Sequence, residues 1–249
     1  MFSFFKKNKI DIQNAYQTLA VDMHSHLIPG IDDGSKSLEE SIRLLRQLIE
    51  LGYKKVITTP HIYYELYPNS SDIILKGLSQ IKAAIKQDGL SIEVDAAAEY
   101  FMDDHFEGLL EKDDILTIGS TKMVLVEMSF FAAPPKLYDY LFRLQTKGYQ
   151  PLLAHPERYS FYNNDIKKYQ DLKDRGCLFQ LNLLSLQGHY GKAVQRMAEK
   201  LLKANMIDFL GTDMHHAFHA EGLAELGKSK VFQKILNEYT FKNITLGKR

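Results

Sequence analysis

The sequence contains a single cysteine, Cys177, so no disulfide can form within the chain. The core alone must then hold the fold, and a reducing compartment such as the cytoplasm is expected. Cys177 is followed by Leu-Phe-Gln-Leu-Asn-Leu, which offers no arginine for a phosphate-binding loop. This excludes phosphatase chemistry with a cysteine nucleophile, and we predict that Cys177 is a buried strand residue.

The chain also lacks net charge and long apolar runs. Lys+Arg and Asp+Glu are both 31, which disfavours a general nucleic-acid binder because such proteins usually carry a basic face. No apolar run approaches the roughly 20 residues that span a bilayer. Residues 1–9 place apolar residues before basic ones, the reverse of a secretory signal. We expect a frayed tail there, or weak contact with an anionic membrane surface.

What the chain does contain is a regular alternation of strand-like and helix-like segments, with 45% hydrophobic residues overall. Strands are predicted at 21–26, 55–61, 92–100, 123–130, 150–155, 177–185 and 207–215. Helices are predicted between them, among others at 37–51, 71–87, 135–147, 165–175 and 192–204. This alternation predicts parallel strands with crossover helices, and seven such units favour a closed or nearly closed barrel. We expect one domain over 21–249, preceded by an extension over 1–20.

Side chains that can bind metal lie at the ends of most of these strands. In an extended strand alternate side chains share a face, so Asp22, His24 and His26 should lie together, and two imidazoles backed by a carboxylate can hold a divalent ion. Because the carboxyl ends of barrel strands meet at one face, we expect nine donors to converge there. They are His24, His26, Asp33, His61, Glu99, Glu127, His155, Asp213 and His215.

Nine donors exceed the needs of one ion, so we predict two or three. Imidazole and carboxylate ligands without thiolate favour Mn²⁺, Fe or Zn²⁺. Closely spaced ions suit the hydrolysis of phosphate esters. Arg158 is a candidate phosphate clamp, although an ion pair with Glu157 or a nearby acid explains it equally well. Asn182 either orients a ligand or is a satisfied core amide.

Seven short motifs, in order, resemble the polymerase-and-histidinol-phosphatase (PHP) superfamily. More closely, they are similar to its bacterial protein-tyrosine phosphatases of capsule and exopolysaccharide synthesis. The motifs are Asp22-Met23-His24-Ser25-His26, Asp32-Asp33-Gly34, Thr59-Pro60-His61, Ala98-Glu99-Tyr100, Val126-Glu127-Met128, Ala154-His155-Pro156-Glu157-Arg158-Tyr159 and Thr212-Asp213-Met214-His215.

The resemblance implies a distorted seven-stranded (β/α)7 TIM-like barrel with a three-metal site, commonly of Mn²⁺. It implies that the nine donors are the ligands and that Arg158 binds phosphate, and we assign catalysis to Arg158, Asp33 and His61. It further implies a cytoplasmic phosphatase that acts on phosphotyrosine in a protein. The expected substrate is a tyrosine kinase of capsule or exopolysaccharide synthesis, with no nucleic-acid partner.

Two stretches depart from the relatives that this chain resembles. Those relatives carry basic residues after the equivalent of His61 and an arginine after the last Asp-x-His, where this chain has Ile62-Tyr63-Tyr64-Glu65 and His216-Ala217-Phe218-His219. We predict that Tyr63 and Phe131 bind the phosphotyrosine ring, although loops that pack on each other explain them equally well. The alternatives for function are a small-molecule phosphatase such as histidinol phosphatase, a PHP-type nuclease, and a metal-binding regulatory protein without catalysis.

Overall fold

The computed structural model describes residues 12–162 and 165–247 of the chain. The expectation for residues 1–9 therefore falls outside the described residues. Over those ranges the chain is α/β, with strands that pair only in parallel, as the sequence predicts.

Nine short strands form within the described residues, in two sheets. Their order is β1-β2-β4 in the smaller sheet and β3-β5-β6-β7-β8-β9 in the larger one. The strands are β1 (Val21–Asp22), β2 (Lys55–Thr58), β3 (His61–Ile62), β4 (Glu93–Ala96), β5 (Glu99–Phe101), β6 (Met123–Glu127), β7 (Gln150–Ala154), β8 (Leu178–Asn182) and β9 (Phe209–Gly211).

Helices cover most of the connections between these strands. Ser37 begins the second helix by accepting a hydrogen bond from the backbone of Glu40, and Gly52 ends it at φ 108°, a left-handed conformation that glycine adopts without strain. The helices are α1 (Ile12–Gln17), α2 (Leu38–Leu51), α3 (Ser71–Gln87), α4 (Asp104–Glu111), α5 (Leu137–Thr146), α6 (Ile166–Asp174), α7 (Lys192–Lys203), α8 (Ala217–Gly227) and α9 (Lys230–Glu238). Across the described ranges, none is long and apolar enough to cross a membrane.

Two predicted strands are each broken in two. The run predicted at 55–61 stops after Thr58 and resumes at His61, because Pro60 has no N–H to donate to a ladder. The run predicted at 92–100 stops after Ala96 and resumes at Glu99. The first halves, β2 and β4, pair with each other in the smaller sheet, and the second halves, β3 and β5, belong to the larger sheet. The expectation of seven continuous strands was therefore wrong at these two places, while closure into a barrel stays a prediction.

The end of β1 also differs from expectation. The strand stops at Asp22, so His24 and His26 follow it rather than lie within it. Asp22 does not support the histidine pair; its carboxylate accepts hydrogen bonds from the backbone and hydroxyl of Thr212, at 2.9 and 2.8 Å. The backbone of His26 donates to Met214 at 2.8 Å, so the segments after β1 and β9 lie side by side.

The core has two parts that follow from strand alternation. An inner cluster lies between the strands and includes Met123 and Leu125, and Glu127 continues the same face of β6. A larger cluster packs the helices against the outer faces and includes Tyr16 of α1, whose hydroxyl donates to Leu223 at 2.5 Å. Tyr16 therefore ties α1 to α8, and the domain boundary at residue 20 stays a prediction.

Cys177 is buried, as predicted, but it lies directly before β8 rather than within a strand. Burial raises the pKa of its thiol to about 12. A thiol with so high a pKa stays protonated at neutral pH and is a poor nucleophile.

Candidate metal and phosphate site

The nine predicted donors converge on one side of the larger sheet. They form four overlapping groups, and within each group the ligand atoms lie within 4.8 Å of one another. The groups are His26, Asp33, His61 and His215; His24, His26 and Asp213; His24, Glu99 and His155; and His61, Glu99 and Glu127. Residues from seven separate segments thus meet in one place, although their role as ligands stays a prediction.

Glu99 lies at the centre of this cluster. Its Oε2 atom is 3.2 Å from Nε2 of His24, 3.4 Å from Nε2 of His26 and 3.3 Å from Nδ1 of His61. Its other oxygen, Oε1, is 3.0 Å from Nε2 of His155. Because one carboxylate faces four imidazoles, Glu99 has the position of a bridging ligand.

Asp33 lies at the outer edge of the cluster, with its side chain 49% exposed. Its Oδ1 atom is 3.6 Å from Nε2 of His61 and 3.4 Å from Nε2 of His215. Glu127 approaches the opposite nitrogen of His61, at 3.1 Å. His61 therefore lies between an inner and an outer group of donors.

Buried residues behind the cluster fix the orientation of its members. Nδ1 of His26 lies 2.8 Å from Oδ2 of Asp32, and Nδ1 of His24 lies 2.7 Å from Oε1 of Gln180. Asn182 donates to Oδ2 of Asp213 at 2.6 Å and is fully buried, which fits both of its interpretations, an orienting residue and a satisfied core amide. Sequence reasoning missed Asp32 and Gln180, although Gln180 lies two residues before Asn182 and so on the same face of β8.

Two donors occupy backbone conformations that are uncommon for residues other than glycine. His155 has φ 33° and Asp213 has φ 51°. His155 directly follows β7, and Asp213 lies two residues after the end of β9. Strained conformations of this kind persist where the surroundings hold them in place, and they concentrate at functional sites.

Opposite charges hold the carboxylate of Glu99 in its ionised form. Burial raises the pKa of Glu99, but the neighbouring His24 and His61 outweigh burial and hold it well below its usual range. Burial lowers the pKa of His61, but Glu127 and Glu99 outweigh burial and raise it to about 9. Ionised carboxylates are what metal binding requires, and a bound cation would replace the imidazole protons.

The donor set fits divalent transition ions. Nδ1 of His155 is buried and makes no hydrogen bond within the part of the chain that the structure describes. A buried ring nitrogen without a hydrogen bond is costly unless it binds something else. Imidazole and carboxylate donors at these distances suit Mn²⁺, Fe or Zn²⁺.

Arg158 lies beside the cluster with its guanidinium between two aromatic rings. Its Cζ atom is 4.5 Å from the ring centres of both Phe130 and Tyr190, and Nη1 donates to Oδ2 of Asp213 at 3.3 Å. Glu157 instead accepts hydrogen bonds from the backbone of Asn182 and the hydroxyl of Ser185. The alternative interpretation, an ion pair with Glu157 or a nearby acid, therefore holds for Asp213 and not for Glu157, and the role of Arg158 as a phosphate clamp stays a prediction.

A cavity of about 540 Å³ opens over this site, and Tyr63, Phe131, Arg158, His216 and His219 all contribute to its lining. Tyr63 stacks on Phe101 with ring centres 4.0 Å apart. Phe131 is 92% exposed at the mouth. Both predicted ring-binding residues thus border the cavity, and their role stays a prediction.

A parallel α/β fold with clustered imidazoles and carboxylates at strand ends is typical of hydrolases that use several metal ions. The family model for capsular polysaccharide synthesis proteins, CpsB/CapC, matches residues 20–246, and the chain belongs to this family. The resemblance drawn from the seven motifs is thereby confirmed.

Similar proteins of this family carry the name of tyrosine phosphatases. The chain is 28% identical to the tyrosine-protein phosphatase YwqE of Bacillus subtilis over 81% of each chain. It is 28% identical to the tyrosine-protein phosphatase CpsB of Streptococcus agalactiae, over 79% of this chain and 83% of that one.

A solved structure from work on YwqE of B. subtilis and CpsB of Streptococcus pneumoniae, described as metal-dependent tyrosine phosphatases, superimposes with a TM-score of 0.76. It shares 26% identity and covers 89% of this chain and 96% of its own.

Proposed function

We propose that this chain is a metal-dependent protein-tyrosine phosphatase whose nine clustered donors hold two or three ions, with Mn²⁺ as the ion expected. The observation that carries the proposal is the convergence of those donors beside Arg158 in one cavity. Bound ions would lower the pKa of a water molecule and offset the charge of the transferring phosphoryl group. The names of the relatives in this family support the same reaction.

Side chains of the protein, Arg158 above all, bind the phosphate group. Arg158 presents a planar fork of donors that suits phosphate oxygens, and the rings of Phe130 and Tyr190 restrict its movement. We assign Arg158, Asp33 and His61 to the catalytic set because all three line the cavity. The leaving group is the phenolate of tyrosine, whose conjugate acid has a pKa near 10, so it needs less help from a general acid than an alkoxide does.

The mouth of the cavity supports a protein substrate over a small molecule. Leu66 and Phe131 line the cavity and are 63% and 92% exposed, so they give the mouth an apolar rim. Exposed apolar groups of this kind mark surfaces that bind other proteins. We propose that Tyr63 and Phe131 contact the phosphotyrosine ring, and that the substrate is a tyrosine kinase of capsule or exopolysaccharide synthesis in the cytoplasm.

For the fold, we propose a distorted (β/α)7 barrel that forms a single domain over 21–249. Two observations support it: the parallel order of the two sheets, and the hydrogen bonds that join the segment after β1 to the segment after β9. Because all strand pairs are parallel, the carboxyl ends of the strands point to one face, where such barrels carry their chemistry.

A comparison of three substrates tests the function. Protein supplied with Mn²⁺ is assayed in parallel on a phosphotyrosine peptide, on histidinol phosphate and on single-stranded DNA. We expect the largest kcat/KM for the peptide. An equal or larger value for histidinol phosphate would make the chain a small-molecule phosphatase, and cleavage of DNA alone would make it a nuclease.

A further inference from the structure

Two buried amides on β8 connect two of the proposed metal ligands. Oε1 of Gln180 lies 2.7 Å from Nδ1 of His24. Nε2 of Gln180 donates to Oδ1 of Asn182 at 3.0 Å, and Asn182 donates to Oδ2 of Asp213 at 2.6 Å. The side chains of His24 and Asp213, from opposite ends of the sequence, are thus joined by one unbroken series of hydrogen bonds.

The direction of this series is fixed at both of its ends. The carboxylate of Asp213 can only accept, so the atom of Asn182 that faces it must be the nitrogen. The backbone N–H of His155 can only donate, and it points at Oε1 of Gln180 at 3.4 Å. Oε1 of Gln180 therefore accepts, and His24 must carry its proton on Nδ1.

This direction determines which atoms face the metal site. With its proton on Nδ1, His24 presents an unprotonated Nε2 when the ring is neutral, and Nε2 is the atom that lies 3.2 Å from Glu99 and 3.3 Å from Asp213. Because Asn182 holds Oδ2 of Asp213, the other oxygen, Oδ1, faces His24 and His26. The amides thus leave one donor atom of each residue, Nε2 of His24 and Oδ1 of Asp213, for an ion.

The space around Gln180 is shaped to admit this side chain. Gln180 and Asn182 are both fully buried. A Cβ at Gly211 would lie 2.5 Å from Nε2 of Gln180 and 2.8 Å from Cβ of His24, so a larger residue there would push into both. The absence of a side chain at Gly211 is therefore what allows Gln180 to reach His24.

From these contacts we propose that Gln180 and Asn182 are positioning residues that set the tautomer of His24 and the orientation of Asp213 for metal binding. The proposal rests on the proposed metal-dependent function. Partners that orient metal ligands in this way typically contribute about 10- to 100-fold to metal affinity. A pair of amides that only satisfied each other would contribute to stability but not to affinity for the ion.

The test measures Mn²⁺ affinity by competition with a chromophoric chelator, together with the melting temperature of each metal-free protein. Gln180→Met keeps the length of the side chain and removes its hydrogen bonds with His24, Asn182 and the backbone of His155. We expect its Mn²⁺ affinity to fall by about 10- to 100-fold. Asn182→Ala breaks the series at its other end and should lower the affinity as well. If Gln180→Met fails to fold, the result for Asn182→Ala decides.

Asn243 provides the matched control because it is another fully buried amide. It donates to the backbone oxygens of Val21 and Leu210 and contacts none of the nine donors. Asn243→Ala should lower the melting temperature and leave Mn²⁺ affinity unchanged. Parental affinity in folded Gln180→Met and Asn182→Ala would overturn the positioning role alone. A parental protein that binds no divalent ion would overturn the proposed function and this role with it.

Discussion

Replacement of Arg158 tests how the site holds phosphate. The side chain is only 24% exposed, so water cannot easily take its place in the variant. A hydrogen bond from a charged group contributes about 1.5–3 kcal/mol, and each 1.36 kcal/mol of barrier is a factor of ten in rate. We therefore expect Arg158→Ala to lower kcat/KM on a phosphotyrosine peptide by about 10²-fold.

Metal content should stay close to the parental value in this variant. Asp213 loses its contact with Arg158, but Oδ2 of Asp213 keeps the hydrogen bond from Asn182. Arg158→Lys should recover only part of the activity, because an ammonium group cannot reproduce the planar fork that stacks between Phe130 and Tyr190. The assay is steady-state phosphate release, with metal counted on the same preparation.

Arg175 is a suitable control for the loss of a stacked and paired arginine. Its Cζ lies 4.2 Å from the ring centre of Tyr138, and it pairs with Asp171 on an exposed helix. Arg175→Ala should have parental kcat/KM. If Arg158→Ala also turns over like the parent, Arg158 is a structural residue and the account of phosphate binding is refuted.

Three further predictions concern other parts of the molecule. We expect the protein to prefer phosphotyrosine over phosphoserine peptides by well over tenfold in kcat/KM. Tyr63→Ala and Phe131→Ala should each reduce this preference by up to about 1 kcal/mol, while the control Phe142→Ala, at another exposed ring, should not. An unchanged preference in the first two variants would refute ring recognition. Tyr190→Leu should weaken inhibition by inorganic phosphate more than Tyr190→Phe, which keeps the ring against Arg158; equal inhibition constants would argue against stacking. Burial raises the pKa of Asp208, but hydrogen bonds from two lysines outweigh burial and lower it. Asp208→Ala should therefore lower the free energy of unfolding, measured in urea at pH 7, by about 2 kcal/mol. That loss should disappear as the pH falls through the lowered pKa of Asp208, and a loss that persisted in acid would contradict the ion-pair origin.

The position of the donor cluster was predictable because strand direction and side-chain chemistry are both local properties of the sequence. His155 and Asp213 each follow an apolar run, and parallel strands bring the residues after such runs to one face. Glu99 and His61 were placed in the cluster correctly, although they begin strands rather than end them. The breaks before them could not be read from periodicity, because a short interruption leaves the apolar pattern intact.

The partners of the donors were harder to predict than the donors themselves. Asp32 and Asp33 are adjacent, and only the path of the loop decides that Asp32 orients His26 while Asp33 faces His61. Asp22 shares the alternation of the histidine pair but faces Thr212, because the strand ends at Asp22. Contacts between distant segments, such as these, depend on tertiary structure that the local pattern does not contain.

Metal counting on active protein tests the central claim most directly. Purified protein supplied with Mn²⁺ is desalted, its bound metal is determined per chain, and the same sample is assayed on a phosphotyrosine peptide before and after treatment with a chelator. Because nine donors in four overlapping groups exceed the needs of one ion, we predict more than one tightly bound ion per chain. Activity should be lost in chelator and restored by Mn²⁺. One ion per chain, or full activity in chelator, would contradict the account.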